Sequence, residues 1–487
     1  MSNHTLDEVL HPRSIAVVGA SVNGPGWRFF TPLLELGFKG KIYPVNPKYQ
    51  EIGGLKCYGS VSEIPDTVDY IISVVPARLV PDMMKEAAGK GTRAIHMFTA
   101  RFSETGRPQA IQLEQEIRDL ARQLGIRIIG PNCMGVYYPA QGISFEGDFP
   151  KESGTVALIS QSGNLAGDIV RTGSLRGIRF SKVISYGNAI DLNESDYLEY
   201  FAQDPETKTI LVYIEGAKDG SRFVNTLRQV TRVKPVIILK GGRGEAGARA
   251  TSSHTASLAG SSEIWKAIPR QTSAIAVENM EELVDMAVSF SFLPPFEGKR
   301  VGVTGGAGGA SVLAADQCEM AGLEVIPLPQ EFREALKGRG ISVWDWLSNP
   351  ADLSIREDDR LTVGDIIELM AKDPHFDLLI VMISVHRHHD QPLITLDDFM
   401  KQHNFGFDVI LNTARTKPVL AVVPERGFGI DEWDNVEWRL SCELRSKLIS
   451  SGIPFYPNVY RAALAARRMA DYYVGVRVAD ISARKSD

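Results

Sequence analysis

The sequence has 487 residues, of which 44% are hydrophobic and 23% are charged, and its net charge is −6 at pH 7. These proportions are those of an ordinary globular protein, and roughly 150 residues per domain predicts about three domains. The acidic balance gives no general attraction to nucleic acid or to a membrane surface.

Three features of the chain bear on its location. No apolar run reaches the roughly 18 residues that a membrane helix needs. The first residues lack the basic and apolar regions of a signal peptide. Four widely spaced cysteines form no Cys-x-x-Cys pair, which suits free thiols in a reducing compartment. We therefore predict a cytoplasmic protein that binds neither membrane nor nucleic acid.

One pattern occurs three times along the chain: a continuous apolar strand that runs into a turn of small residues. It is found at Ser14–Ser21, Thr155–Gly163 and Arg300–Gly309, and a helix-compatible segment follows each. Continuous β-branched runs predict buried parallel strands, so we expect an α/β protein of three consecutive open parallel-sheet domains. Polar stretches with glycine or proline separate them. The predicted domains span 1–145, 150–294 and 297–480.

The first domain lacks the marks of an NAD site. The turn Gly19–Gly26 does not read G-x-G-x-x-G, and the second strand ends in Asn-Pro-Lys48 rather than in an acidic residue. A lysine there favours a phosphorylated ribose, as in CoA or NADP, although Lys48 could simply be solvated. The segment Tyr70–Pro76 ends in Val75 and Pro76, which could line an adenine or pantetheine group or only end the strand.

The turn Gly130–Gly135 contains Cys133, which is a conceivable nucleophile. No histidine stands nearby in the sequence, and a buried cysteine usually behaves as a small hydrophobic residue. We therefore assign Cys133 no catalytic role.

The second domain offers two elements suited to phosphate chemistry. Gln161–Asn164 is predicted to open a helix, whose free N–H groups and positive dipole end can bind phosphate. The strand Thr209–Gly216 carries Glu215 at its carboxyl end, where a carboxylate could hold an imidazole in one tautomer. Glu215 could instead be no more than a hydrogen-bonded strand terminus.

The stretch Gly241–Ser257 contains no large apolar residue, which predicts a mobile surface loop. Its single imidazole, His254, follows three cations, Lys240, Arg243 and Arg249. Because neutral imidazole is a nucleophile near pH 7, His254 could carry a phosphoryl group. The alternative is an exposed histidine without a role, since loops tolerate drift.

In the third domain, His386-Arg-His-His-Asp390 follows a predicted strand and could suggest a metal site. Adjacent histidines point apart on extended backbone, and metal ligands are normally spaced more widely. We predict a solvated loop between His386 and His389, or a contact to a partner's nucleotide, and no metal site.

Taken together, these motifs resemble the α subunit of ADP-forming acyl-CoA synthetases, which are relatives of the succinyl-CoA synthetase α subunit. The resemblance covers about residues 6 to 475 in the same order, and the histidine motif is highly specific. The motifs that carry it are Val-Val-Gly-Ala-Ser21, Pro-Val-Asn-Pro-Lys48, Gly-Pro-Asn-Cys133-Met-Gly, Leu-Ile-Ser-Gln-Ser-Gly163 and Ser-Ser-His254-Thr-Ala-Ser-Leu-Ala-Gly.

The resemblance implies a Rossmann-like CoA-binding domain followed by two flavodoxin-like ligase domains. It implies that carboxylate, ATP and CoA interconvert with acyl-CoA, ADP and phosphate through an acyl phosphate and a phosphohistidine. The implied residues are His254 as the phosphorylated histidine, Glu215 as its carboxylate partner, Ser162, Gly163 and Asn164 as the phosphate-binding helix end, and Gly19, Ser21, Lys48, Val75, Pro76, Thr99, Ala100 and Asn132 around CoA and the thioester.

The sequence departs from the family pattern at two turns. Arg101, in Thr99-Ala-Arg-Phe102, replaces a glycine beside the expected pantetheine path; it either selects an acidic acyl group or narrows the site. The third-domain turn reads Gly305-Gly-Ala-Gly-Gly309 where an Asn-Gly-Gly-Gly type is commoner.

The family also needs an ATP-grasp module, which exchanges phosphate with the nucleotide. The three predicted domains account for the chain, and it has no Gly-Lys-Ser/Thr phosphate loop. The resemblance therefore implies a hetero-oligomer with an ATP-grasp β subunit on a separate chain, which would supply ATP or ADP and Mg²⁺. Two other functions are a CoA-responsive binding or regulatory protein without turnover and, less favoured by the first turn, an NADP-linked oxidoreductase.

Overall fold

The computed structural model of the protein describes residues 6–255, 262–352, 361–383, 385, 395–398, 406–425 and 436–484. These residues belong to two compact units, Met1–Leu283 and Val284–Asp487. Within the described ranges, no helix is both long enough and apolar enough to cross a membrane.

The first sheet of the first unit has five parallel strands in the order β2-β1-β5-β6-β7. All five residues of β1 are buried, as expected for an apolar strand covered on both faces. In chain order the strands of this sheet are β1 (Ser14–Val18), β2 (Lys41–Val45), β5 (Tyr70–Ser73), β6 (Ala94–Met97) and β7 (Arg127–Ile129). Between β2 and β5, the chain forms a separate short hairpin of β3 (Glu51–Ile52) and β4 (Leu55–Lys56).

The second sheet of this unit has six strands in the order β13-β12-β11-β9-β10-β8. The edge strand β8 runs antiparallel to β10, and the other neighbours are parallel. Because β12, β11 and β9 are adjacent and parallel, their carboxyl ends meet at one edge. The strands are β8 (Gly135–Tyr137), β9 (Val156–Ser160), β10 (Phe180–Ser185), β11 (Thr209–Ile214), β12 (Val236–Lys240) and β13 (Ile275–Val277).

Helices alternate with these strands, as in doubly wound α/β folds. They are α1 (Asp7–Leu10), α2 (Gly24–Glu35), α3 (Val80–Gly89), α4 (Pro108–Leu124), α5 (Gly163–Leu175), α6 (Glu194–Gln203), α7 (Gly220–Val230), α8 (Glu245–Thr255), α9 (Ser262–Thr272) and α10 (Met280–Phe292), which continues into the second unit. Short 3-10 turns lie at Ala77–Leu79, Ser103–Thr105 and Pro139–Gln141.

The second unit contains a four-stranded parallel sheet in the order β14-β15-β16-β17. Its strands are β14 (Val301–Thr304), β15 (Leu378–Met382), β16 (Val419–Val422) and β17 (Phe455–Tyr456). Helix α11 (Gly309–Ala321) follows β14, and further helices span Gln330–Gly338, Val363–Lys372, Phe407–Ala414, Val436–Ser450 and Val459–Arg484. The predicted loop from His386 to Asp390 lies outside the described residues.

The predicted fold class is confirmed: open, mainly parallel α/β sheets follow one another along the chain. The three strands of the repeated pattern are β1, β9 and β14, and each leads through a turn of small residues into a helix. The antiparallel edge strand β8 was not predicted, because its three residues carry too short a pattern to read.

Candidate active site

The candidate site lies at the edge of the second sheet where three adjacent strands end. Gln161 follows β9, Glu215 follows β11, and Lys240 is the last residue of β12. The side-chain oxygen of Gln161 accepts the backbone N–H of Glu215 at 2.7 Å and that of Gly216 at 3.2 Å. Gln161 and Glu215 are 1% and 5% exposed. The residue that precedes the predicted phosphate-binding helix therefore holds the turn that carries Glu215.

The N-terminus of α5 leaves two backbone N–H groups without an acceptor among the described residues. Ser162 caps the helix, and its hydroxyl accepts the N–H of Leu165 at 3.4 Å. The N–H groups of Gly163 and Asn164 have no intrahelical acceptor, and no described residue accepts a bond from either. Since Ser162 and Gly163 are half-buried and Asn164 is exposed, these groups are available to an anion.

The carboxylate of Glu215 has a hydroxyl partner from its own strand. Tyr213 lies two residues earlier, on the same face of β11, and its hydroxyl donates to Glu215 Oε1 at 3.2 Å. Burial and then the charge of Glu215 raise the pKa of Tyr213 well above its usual value. Tyr213 therefore remains a protonated donor throughout the neutral range.

Lys240 places a cation near this carboxylate. Its side chain is buried, its ammonium donates to the carbonyl oxygen of Gly241, and it lies 5.0 Å from the ring centroid of Trp265. Burial lowers the pKa of Lys240 to about 8; the charge of Glu215 opposes this shift, and the charge of Arg243 adds to it. At pH 7 the ammonium is therefore still mostly protonated.

The stretch that carries His254 is not the continuous loop predicted from its composition. After a short connection, residues Glu245–Thr255 form helix α8. The prediction of a loop is wrong here because alanine, arginine and glutamate are strong helix formers and outweigh the missing apolar anchor. His254 lies in the last turn of α8, and its side chain is outside the described residues.

Two glycines before α8 are required by close packing. A Cβ on Gly241 would lie 2.5 Å from the Tyr213 hydroxyl. Gly242 has φ +70°, and a Cβ on it would overlap the hydroxyl of Thr251, one turn before His254. Around Thr251, helix α8 therefore packs closely against Gly242, two residues beyond β12.

On the first sheet, the predicted CoA-binding residues lie at the carboxyl ends of β1 and β2. Gly19 turns the chain at φ +95° after β1, and the Ser21 hydroxyl donates to the carbonyl of Asn23 at 2.5 Å. Asn46 ties the two strand ends together, donating to Ala20 O at 2.7 Å and accepting the N–H of Lys48 at 3.0 Å. Lys48 is exposed, and among the described residues its ammonium has no carboxylate partner.

Three of the remaining predicted residues on this side, Val75, Thr99 and Asn132, form a hydrogen-bonded row. The Thr99 hydroxyl donates to Val75 O at 2.7 Å, and the Asn132 N–H donates to Thr99 O at 3.0 Å. Thr99 is buried, Val75 and Asn132 are half-buried, and Pro76 and Ala100 are exposed. The ends of β5, β6 and β7 therefore present one continuous surface.

The edges of the two sheets meet within the first unit. Asn188, which follows β10, donates from its N–H to Pro131 O at 3.0 Å and from its amide to Glu104 Oε2 at 2.7 Å. A Cβ on Gly163 would lie 2.5 Å from Met134 Cγ, so the start of α5 touches the Asn132–Met134 turn. Helix α8 lies against the 3-10 turn Ser103–Thr105. The loops with the predicted CoA-binding residues, the start of α5 and helix α8 are thus neighbours.

Cys133 and His96 form a buried pair behind this surface. Burial raises the pKa of the Cys133 thiol and lowers the pKa of His96 to about 4. His96 Nε2 lies 3.1 Å from Cys133 O, where a neutral imidazole donates to the carbonyl. The Cys133 thiol is therefore buried and protonated in the neutral range, and His96 is neutral there.

Sequence reasoning missed three features of this site. It did not find the side-chain clamp of Gln161, the hydroxyl of Tyr213, or the backbone of Arg101, which adopts φ +76°. Glu104 holds that strained turn by accepting the N–H groups of Arg101 at 2.5 Å and Phe102 at 3.0 Å. Only the i, i+2 spacing of Tyr213 and Glu215 gave a local signal.

Two family descriptions match consecutive parts of the chain. Residues 13–139 match a family described as a CoA binding domain, and residues 153–290 match one described as a succinyl-CoA ligase like flavodoxin domain. Together they contain the two sheet edges described above.

Proteins of similar sequence and structure agree with these matches. The chain is 40% identical over 385 residues to the α subunit of an ADP-forming acetate–CoA ligase II from Pyrococcus furiosus, covering 78% of this chain and 82% of the relative. It is 40% identical over 355 residues to an ADP-forming acetate–CoA ligase from Methanocaldococcus jannaschii, covering 72% of this chain but only 49% of that longer protein.

A solved structure extends the similarity to nearly the whole chain. It is the dinucleotide forming acetyl-coenzyme A synthetase 1 of Ca. Korarchaeum cryptofilum in complex with phosphate and ADP. The sequence identity is 30%, 98% of each chain is covered, and the TM-score is 0.80.

Proposed function

Because this chain belongs to the family of ADP-forming acyl-CoA synthetase α subunits, we propose that it couples thioester chemistry to phosphorylation of His254. The chain is a CoA ligase component of the α type, and the family membership disfavours a binding protein without turnover. The proposal concerns the route and the residues that serve it.

The route has two steps on this chain: formation of an acyl phosphate and phosphoryl transfer to His254. In the direction of acyl-CoA cleavage, a phosphate oxygen attacks the thioester carbonyl, the carbon–sulfur bond breaks, and CoA leaves with a proton on its sulfur. An imidazole nitrogen of His254 then attacks the phosphorus of the acyl phosphate, and the carboxylate leaves. The open end of α5, with Ser162, Gly163 and Asn164, would stabilise the transferring charge. Acyl-CoA synthesis follows the reverse order.

One observation carries this proposal: Gln161 bonds the turn of Glu215 directly to the start of α5. The N-terminus of α5 and the buried Glu215 are thereby held side by side, next to the helix that contains His254. Glu215 would hold the imidazole in one tautomer and orient its nucleophilic nitrogen.

CoA would bind along the edge of the first sheet. Lys48 is exposed and pairs with no carboxylate of the described residues, so it is suited to the 3′-phosphate of the nucleotide. Gly19 and Ser21 lie at the neighbouring strand end, which Asn46 joins to Lys48. The reactive arm would follow the row formed by Thr99 and Asn132 toward α5. The full proposed set is Gly19, Ser21, Lys48, Val75, Pro76, Thr99, Ala100 and Asn132.

We also propose the domain limits and a partner. Residues 1–145 would form the CoA-binding domain, 150–294 the histidine-carrying ligase domain, and 297–480 the third domain. The region that matches this chain makes up 49% of the Methanocaldococcus jannaschii relative. The Pyrococcus furiosus relative is named a subunit. An ATP-grasp β subunit on another chain, which would hold ADP or ATP and Mg²⁺, accounts for both facts.

The test is ADP formation from ATP, CoA and a panel of carboxylates, beginning with acetate. The chain alone should produce no ADP, and addition of an ATP-grasp β subunit should start turnover that depends on CoA and carboxylate. His254→Asn should abolish turnover without changing CoA binding measured by calorimetry. Acyl-CoA synthesis from ATP by the chain alone, or by the mixture containing His254→Asn, would contradict the proposal.

A further inference from the structure

The hydroxyl of Tyr213 is the feature of the site that the proposed route leaves without a task. It donates a hydrogen bond to the Glu215 carboxylate, at 3.2 Å to Oε1. Gln161 bonds the backbone at Glu215 but leaves the rotation of its carboxylate to other contacts. A donor to one oxygen restricts that rotation, because a carboxylate accepts along defined directions.

The surrounding chain keeps the Tyr213 hydroxyl in place. Tyr213 is paired with Ser160 of β9 on one side and with Leu239 of β12 on the other. The N–H of Gly241 donates to Ile214 O at 2.9 Å, which holds Gly241 beside the tyrosine ring. Because a Cβ at position 241 would lie 2.5 Å from the hydroxyl oxygen, glycine leaves the hydroxyl its space.

The charges near the carboxylate favour the same arrangement. Lys240 lies next to Gly241 and interacts electrostatically with Glu215. Its ammonium is bound to Gly241 O and to the Trp265 ring, and no salt bridge joins it to Glu215 among the described residues. Lys240 therefore supplies positive potential, while Tyr213 makes the directed bond.

We propose that Tyr213 is a positioning residue that orients the Glu215 carboxylate toward the imidazole of His254. The inference rests on the proposed function, since it assigns Tyr213 a task only if Glu215 partners His254. It predicts that the hydroxyl accelerates histidine phosphorylation through Glu215 and by no other path.

The experiment is a double-mutant cycle on the rate of histidine labelling by acyl-CoA and radioactive phosphate. Tyr213→Phe should slow labelling about tenfold, because it removes a hydrogen bond to a charged group. It should leave CoA affinity unchanged. In a Glu215→Gln background the same change should alter the rate less than twofold, because the two residues act as one unit.

Two further variants make the result decisive. Tyr43→Phe is the matched control, because Tyr43 lies in β2 of the first sheet and its hydroxyl also donates to a carboxylate, that of Asp66, at 2.5 Å. This variant should be labelled at the wild-type rate. Gly241→Ala displaces the Tyr213 hydroxyl without removing it, and should slow labelling as Tyr213→Phe does.

The outcomes separate this inference from the proposed function. Wild-type labelling by Tyr213→Phe, or a tenfold loss that persists in the Glu215→Gln background, would overturn the role of Tyr213. Wild-type labelling by Glu215→Gln would instead overturn the proposed role of Glu215, and with it the path on which this inference depends.

Discussion

The turns after β9 and β14 have the same strand–turn–helix plan but different chemistry. After β9, Gln161 reaches the turn beyond the neighbouring strand with its side chain, and the N-terminus of α5 remains open. After β14, the corresponding residue is Gly305, at φ +89°, where a Cβ would overlap the carbonyl oxygen of Met382 at the end of β15. At the start of α11, the N–H of Gly308 donates to Asp352 Oδ2 at 2.8 Å.

The difference shows that the helix N-terminus after such a turn can either stay free for a ligand or be occupied by the protein's own side chain. A helix N-terminus attracts an anion by its dipole and its free N–H groups. In the second unit the protein's own carboxylate occupies that position, whereas at α5 no described carboxylate does so. This contrast is why we propose that the phosphoryl group binds at Ser162–Asn164 and propose no such role for the Gly305–Gly309 turn.

The largest expected effect comes from removing the clamp that distinguishes the β9 turn. Gln161→Leu would leave the buried N–H groups of Glu215 and Gly216 without their acceptor. We expect the free energy of unfolding to fall by about 3 kcal/mol, since each such group costs roughly 1–3 kcal/mol. Urea denaturation measures this loss. The matched control is Gln112→Leu on the exposed face of α4, which should change it by less than about 0.5 kcal/mol. Equal stability of the two variants would show that the hydrogen bonds of Gln161 do not stabilise the protein.

The second prediction makes the open helix end resemble the closed one. Asn164→Asp places a carboxylate in the first turn of α5, so it should repel phosphate and slow histidine labelling about tenfold or more. The same charge should stabilise the helix slightly, by about 0.5 kcal/mol. Asn164→Ser is the neutral control. A labelling rate unchanged by the aspartate would show that phosphate binds elsewhere.

The smallest effect is expected from loosening the closed end. Asp352→Asn weakens the charged hydrogen bond to Gly308, and should lower stability by about 1 kcal/mol without altering the labelling rate. Thermal unfolding and a labelling time course measure the two quantities on one sample. Loss of labelling in this variant would mean that the α11 turn takes part in the reaction after all.

Much of the geometry of the candidate site could be predicted because its residues follow strands that are recognisable in the sequence. Gln161–Asn164 and Glu215 each follow a buried apolar strand, and parallel strands bring their carboxyl ends to one edge. The loop predicted for Gly241–Ser257 is wrong over Glu245–Thr255, which forms a helix. The prediction relied on the lack of large apolar residues, but this segment is rich in helix formers.

Two other contacts depend on pairing between distant parts of the chain. The space that Gly241 leaves for the Tyr213 hydroxyl depends on the register of β11 against β12, which local patterns do not reveal. The positive φ of Arg101 depends on Glu104 accepting two successive N–H groups, in a position where glycine is the usual residue. Neither contact leaves a periodic signal.

Labelling of the chain alone is the direct test of whether His254 carries the phosphoryl group. The purified protein would be incubated with acetyl-CoA and other acyl-CoA esters in the presence of radioactive phosphate, without nucleotide or partner. We predict an acid-labile, base-stable phosphoryl group that maps to His254 and is absent from His254→Ala. Undiminished labelling of His254→Ala, with the same acid lability, would contradict the account.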